Sequence, residues 1–254
     1  MLMKTRAIVL HSVKYGEQKL IVDMLTAEQG RMSFACRMPT TQRGKLKKQL
    51  FQPLTILDLE VDFRQGNKLQ RLRDVRMVAP YTSIPFDAAK LSLSLFLAEF
   101  LLYATRDEQQ NTPLFQYVES SLVWLDAQPR AVANFHLVFM MRLSRFIGFF
   151  PNLDDYREGA CFDLRNGEFT DSPPLHPDFV NPQESAHIGL LMRMNFETMH
   201  LFRLSRDERN RCVELILAYY RLHVPNFPEL QSFAVLQEMM SLPPSPLREE
   251  GEKS

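Results

Sequence analysis

Within the first eighty residues, two runs change side-chain character at every second position, and a two-residue period is the mark of β-strands. In RMSFACRM, Met32, Phe34, Cys36 and Met38 share one parity, and Arg31, Ser33, Ala35 and Arg37 the other. A strand sends successive side chains to opposite faces, so the first set is expected inside and the two arginines outside. LDLEVDF alternates likewise, with Leu57, Leu59, Val61 and Phe63 against Asp58, Glu60 and Asp62. AIVLHSV and LIVDMLT are apolar on both parities, the pattern of more deeply buried strands. Tyr15–Gly16–Glu17, Gln29–Gly30 and Gln65–Gly66–Asn67 supply turns between the runs. KLQRLRDVRMV reads as a fifth strand whose parity slips around Gln70 to Leu72, which predicts a β-bulge there.

Five short strands, tight turns and one long loop predict a small closed barrel over residues 1–80. The five-stranded oligonucleotide-binding barrel (OB-fold) leads, with an SH3-like barrel as the rival. The period changes at APYTSIPFD, where Pro80 and Pro85 punctuate the chain. Residues 81–240 then read as mainly helical, giving an α+β multidomain protein. Leu91, Leu95, Ala98 and Leu102 lie on one stripe, but Phe96 and Leu101 make that helix apolar nearly all round, as in a central buried helix. Thr112–Pro113 predicts an N-cap and first-turn proline, and Pro129 through Phe149 the next helix. Asn181–Pro182–Gln183–Glu184 is another helix start, and Ser205 to Glu208 has capping-box spacing. Val213, Ile216, Leu217, Tyr220 and Val224 form the core stripe that follows. In GACFDLRNGEFTDS, Asn166–Gly167 predicts a β-hairpin through a type I′ turn. The tail from 241 to 254 has the composition of a disordered segment.

Charge separates the two regions. The chain is formally neutral, yet residues 1–80 hold fifteen Lys and Arg against seven Asp and Glu, a net +8, and the remainder carries −8. The stretch from Arg37 to Leu50 contains Arg37, Arg43, Lys45, Lys47 and Lys48 and no acid. Such a loop beside a strand that presents Arg31 and Arg37, and another carrying Arg71 and Arg73, matches a phosphate backbone by replacing its counterions. Phe34 is on the core parity, so binding dominated by the backbone and indifferent to sequence is expected rather than base readout. The longest apolar run, Leu91 to Ala104, is too short for a membrane span and carries Glu99. No leader pattern opens the chain, and three sparse cysteines form neither a zinc pattern nor a disulfide framework, so a cytoplasmic protein with core cysteines is expected. Walker, GxGxxG, HExxH and GxSxG motifs are absent, and none of the six histidines has a partner at metal-ligand spacing. The expectation is a binding protein, not an enzyme, without a cofactor. An adaptor for an acidic protein, or an RNA-binding factor, would use the same basic barrel.

Several segments resemble the bacterial recombination-mediator family RecO. The opening AIVLHSVKYGEQKLIVDMLTAEQGRMSFACR is similar to that family's first three strands, the basic loop and LFQPLTILDLEV follow in the family's order, and RLSRFIGFFPNLDDY resembles its helix ending in glycine before Pro-x-Leu. The resemblance runs from Arg6 to about Met240. It implies an OB barrel and a helical domain that bind single- and double-stranded DNA, anneal complementary strands, act with RecR, take the acidic C-terminal tail of single-stranded-DNA-binding protein (SSB), and help load RecA. It implies no membrane and a nucleoid-associated place in the cytoplasm. The barrel's DNA-binding residues would be Arg31, Arg37, Arg43, Lys45, Lys47, Lys48, Arg71 and Arg73. A tail pocket would be apolar with a basic rim, for which Arg142, Arg145 and Arg203 are candidates. Many members hold zinc with four cysteines after Pro-x-Leu. Here Tyr156 stands at the first position and only Cys161 follows, so no metal is expected, and Phe162, Leu164 and Phe169 are expected to hold the hairpin by packing.

Overall fold

The structure is a computed structural model that describes residues 1–37, 49–129 and 132–239. Arg43, Lys45, Lys47, Lys48 and the tail from 241 lie outside the described residues. The N-terminal sheet contains β1 (Leu2–Tyr15), β2 (Lys19–Thr26), β3 (Gly30–Arg37), β4 (Ile56–Asp62) and β5 (Leu69–Met77). Its strands follow the order β1-β2-β3-β5-β4, and β4 pairs back onto β1, closing the barrel. Only the β3–β5 pair is parallel. This is the expected five-stranded OB barrel, not the SH3-like alternative. Val9, Val22, Met24, Phe34, Leu57 and Val61 fill its interior, each fully buried.

The double apolar parity of β1 has a direct cause. Ala7 and Val9 point into the barrel, while Ile8 and Leu10 point out of it into the core of the helical region, joined there by Leu25 and Ile56. The β1–β2 register shifts between Val9 and His11, so Leu10 is an extra residue that adjusts the strand to both cores. The bulge expected at Gln70–Leu72 lies one residue further on. Glu60 pairs with Asp74 and Val61 with Leu72, leaving Arg73 as the inserted residue.

Among the described residues six α-helices follow: α1 (Ala88–Ala104), α2 (Thr112–Ala127), α3 (Phe135–Phe146), α4 (Pro182–Arg193), α5 (Arg206–His223) and α6 (Gln231–Met239). Helix α1 lies between β1 and α6, which explains its all-round apolarity. Its buried side carries Leu93, Phe96, Leu97, Phe100 and Leu101, whereas Leu91 and Leu95 are 43% and 44% exposed. Leu91 and Leu95 of the expected stripe therefore lie at its outer edge, whereas Ala98 is buried and Leu102 packs partly buried against the core, because periodicity cannot orient a helix that is apolar on every side. Helix α2 is capped one residue earlier than expected, by Asn111, whose side chain accepts from the Leu114 amide at 3.1 Å. Helix α3 begins at Phe135, six residues beyond Pro129. The starts at Asn181 and Ser205 form as the sequence implies, the second with a complete capping box. Val213, Ile216, Leu217 and Tyr220 are buried on α5.

The hairpin joins β6 (Cys161–Asp163) to β7 (Glu168–Thr170), and β8 (Phe179–Val180) adds a third strand on β6. Phe162, Leu164 and Phe169 are buried, with the two phenyl centroids 4.9 Å apart. Its connection is not type I′. Gly167 alone has positive φ, at 69°, and its amide donates to the Asp163 carbonyl at 2.8 Å across a four-residue loop. The Asp163 carboxylate fixes that loop, accepting from the Arg165 and Asn166 amides at 2.8 and 3.2 Å, and lies 3.3 Å from His176 Nε2. The three cysteines are buried and form no disulfide.

Polar contacts add to this shared core in tying the barrel, and the segment that follows it, to the helices. The Arg31 amide donates to the Glu108 carbonyl at 3.0 Å, beside Gly30. Arg6 bridges Asp58 of β4 and Glu119 of α2 at 3.3 and 2.9 Å. The Asp126 carboxylate accepts the amides of Thr82, Ser83 and Ile84 at 2.8, 2.8 and 2.9 Å, binding the connecting segment to the end of α2.

Candidate nucleic-acid interface

Inward parity on β3 goes to Phe34 and Cys36, so Arg31, Ser33, Ala35 and Arg37 must lie on the outer face. The two arginines are not equivalent. Arg31 is at the helical end of the strand, with its side chain only 13% exposed and its Nη1 3.2 Å from Asp23 Oδ1. Arg37 is exposed at the other end, six residues or about 20 Å away at the usual strand rise. Ala35 of β3 pairs with Arg71 of β5, which brings the exposed Arg71 beside Arg37 on the same face. Arg73 is exposed at the β5 bulge, and Lys68 immediately precedes that strand. Lys19 on β2 stands opposite Arg37.

Among the described residues, Lys19, Arg37, Lys68, Arg71 and Arg73 form no ion pair with a carboxylate. Lys4, Arg6, Arg31 and Arg76, by contrast, are each paired with acids of the barrel or of α2. The unpaired cations therefore collect at the end of the barrel away from the helices. Arg37 is also the residue from which the chain enters the segment bearing Arg43, Lys45, Lys47 and Lys48. Lys19 was not distinguishable in the sequence, because its role depends on the strand opposite.

Asp23 shows how the paired end is set. Burial pushes its pKa upward, but the Ser33 hydroxyl at 2.5 Å and the Arg31 guanidinium outweigh that, leaving the carboxyl below its ordinary range. Arg31 is thus committed to a carboxylate on the neighbouring strand.

On the helical side, Arg142 and Arg145 of α3 line a cavity of about 330 Å³ with Tyr117, Phe146, Phe150, Leu153 and Met192. Arg142 donates through Nε and Nη2 to the Met194 carbonyl at 3.2 and 2.9 Å, which fixes its guanidinium. The Arg145 guanidinium lies 4.6 Å over the Phe150 ring, and Tyr117 stacks on Phe146 at 4.8 Å. Arg203 is exposed and is not part of this cavity. Nothing in the sequence spacing of these three arginines separates the first two from the third. Among the described residues, no group of three or more His, Cys, Asp or Glu is placed to hold a metal ion. No helix among them is long and apolar enough to cross a membrane.

Comparison with known proteins joins these two halves. The family model for the N-terminal domain of recombination protein O matches residues 1–81, and the model for its C-terminal domain matches residues 85–231. The DNA repair protein RecO of Phocaeicola vulgatus is 49% identical over 241 residues, covering 95% of this chain and 100% of that protein. The RecO protein of Bacteroides fragilis is 49% identical over 240 residues, covering 94% of this chain and 99% of its own length. That of Christiangramia forsetii is 33% identical over 243 residues, covering 94% and 99%. With an OB barrel bearing a cationic end, a helical domain behind it and relatives matched along nearly their whole length, the chain belongs to the RecO family of DNA repair proteins.

Proposed function

We propose that this chain is a DNA-binding recombination mediator. Its barrel, residues 1–80, takes single- and double-stranded DNA and anneals complementary single strands, and its helical region, residues 81–240, docks protein partners. The observation that carries the reading is the set of unpaired cations at one end of the barrel, Lys19, Arg37, Arg71 and Arg73, continuous in the chain with Arg43, Lys45, Lys47 and Lys48. Lys and Arg that neutralise phosphates release condensed counterions, so two polyanionic strands can approach one another on the protein. Arg31, at the other end of the same face, compensates Asp23. The protein works by holding strands together, without bond-making chemistry, in the cytoplasm at the nucleoid.

The cavity at Tyr117, Arg142, Arg145 and Phe150 is the proposed seat of the SSB tail. An acidic segment ending in an aromatic residue needs an apolar floor and a cationic rim, which Phe146, Phe150 and Arg145 offer. With that tail and RecR engaged, the chain would hand coated DNA over for RecA loading.

Affinity for a single strand, measured against salt concentration, tests the barrel reading. Replacing Lys45, Lys47 and Lys48 by Ala, or Arg37 and Arg71 by Ala, should weaken binding and flatten the log–log slope by about one unit or more. Annealing of SSB-coated strands should fall in the same variants. Unchanged slopes would sink the assignment, as would a preference for RNA or for an acidic protein over DNA.

A further inference from the structure

The outer face of β1, β2 and β3 carries an aromatic side chain that charge alone does not explain. Tyr15, the last residue of β1, is 63% exposed. It stands opposite Lys19, which in turn stands opposite Arg37. Directly paired residues on adjacent antiparallel strands project from the same face, so the phenol and both cations form one row spanning two strand spacings, about 10 Å. The next row along the strands is Val13, Ile21, Ala35 and Arg71. Val13 is 46% exposed, and Leu69 in the row beyond is 44% exposed. Apolar and aromatic surface is therefore laid open between cations that have no carboxylate partner among the described residues.

A surface that only follows phosphates has no use for an exposed ring. A nucleotide presents both an anionic phosphate and a flat base, and this face offers a complement to each. Among the described residues, no heavy atom lies within 4 Å of where a Cβ of Gly16, directly after Tyr15, would be.

We propose that Tyr15 is a stacking platform for an unpaired base, with Lys19 and Arg37 holding the phosphates beside it. The site therefore selects single-stranded nucleic acid over duplex, whose base faces are already covered by their neighbours. This rests on the DNA-binding reading above and replaces its expectation of contacts made to the backbone alone.

The test uses the full chain and measures affinity at fixed salt for a thymidine oligomer, the same backbone carrying abasic sites, and a duplex of equal length. Tyr15→Ala should weaken binding of the thymidine oligomer about tenfold, in the range found for removal of one stacked base. Tyr15→Phe should bind like the parent. The parent should prefer the thymidine strand to the abasic one, and Tyr15→Ala should erase that preference without changing the salt slope. Replacing Lys19 and Arg37 together by Ala should reduce the slope instead. If Tyr15→Ala binds the thymidine strand as the parent does, or loses affinity equally for the abasic strand, stacking is wrong. If the parent binds thymidine and abasic strands equally with a steep salt slope, stacking fails and the phosphate reading stands. If it binds no nucleic acid, both fail together.

Discussion

Arg31 reaches across from β3 to place Nη1 3.2 Å from Asp23 Oδ1 on β2, on the same barrel face as Arg37 but at its opposite end. One arginine neutralises the protein's own carboxylate, and the other has no such partner among the described residues. The two should respond differently to removal. Arg37→Ala should weaken DNA binding and reduce its salt slope. Arg31→Ala should instead lower stability by about 1–3 kcal/mol, the usual consequence of stranding a hydrogen-bonded charge, as read by urea denaturation. Its DNA salt slope should stay near that of the parent.

Asp126 gives a prediction in pH. Burial acts to raise its pKa, but the amides of Thr82, Ile84 and Ser83 and the Thr82 hydroxyl bring it down to about 2. A folded-state pKa below the unfolded one means this carboxylate stabilises the protein above the ordinary Asp range near 4 and loses that contribution as pH falls toward 2. Asp126→Asn should lower stability at neutral pH by about 1–2 kcal/mol, in line with charge-assisted bonds to backbone amides. The gap between variant and parent should narrow between about pH 4 and pH 2, measured by thermal melts across that window.

Gly30 holds φ at 66°, and a Cβ there would lie 2.1 Å from the Gln109 carbonyl oxygen. Backbone from both regions meets at that point, so a side chain can neither adopt the conformation cheaply nor find room. Gly30→Ala should cost at least about 2 kcal/mol, combining left-handed strain with displacement of the Arg31–Glu108 contact. Gly16→Ala, where φ is 67° but no described atom lies within 4 Å of the added Cβ, should carry only the conformational part, about 1 kcal/mol. Denaturation midpoints of the two variants, compared side by side, check the difference.

Arg145 and Arg203 should separate in a peptide assay. Arg145 borders the cavity over Phe150, and Arg203 lies outside it. Arg145→Ala should weaken binding of an acidic peptide ending in phenylalanine by about tenfold or more, the scale of one hydrogen bond to a charged group. Arg203→Ala should change it less than about twofold. Isothermal titration with the free peptide resolves the two.

Strand alternation made the barrel readable, because a face that is buried and a face that is wet differ in residue type at every step. Phe34 inside and Arg37 outside follow from that rule alone. It could not reveal that Arg31 and Arg37, equal in parity, meet different neighbours, since Asp23 and Glu108 come from other parts of the chain. Tyr15 went unmarked for the same reason, its partners Lys19 and Arg37 being fixed only by register. In the helical region, local capping groups such as Asn181 and Ser205 were legible, while the orientation of α1 was not, because every side of it is apolar. The Asn166–Gly167 pair identified the hairpin but not its loop, which the Asp163 carboxylate determines.

Strand β1 sends Ala7 and Val9 to one hydrophobic interior and Ile8 and Leu10 to another. Neither interior can dissolve without stripping the same stretch of backbone, so the barrel and the helices are thermodynamically coupled through it. A strand of DNA gripped at Arg37 would therefore slow hydrogen exchange in amides of α1 that it never touches, and a peptide seated beside Arg145 would stiffen the barrel in return.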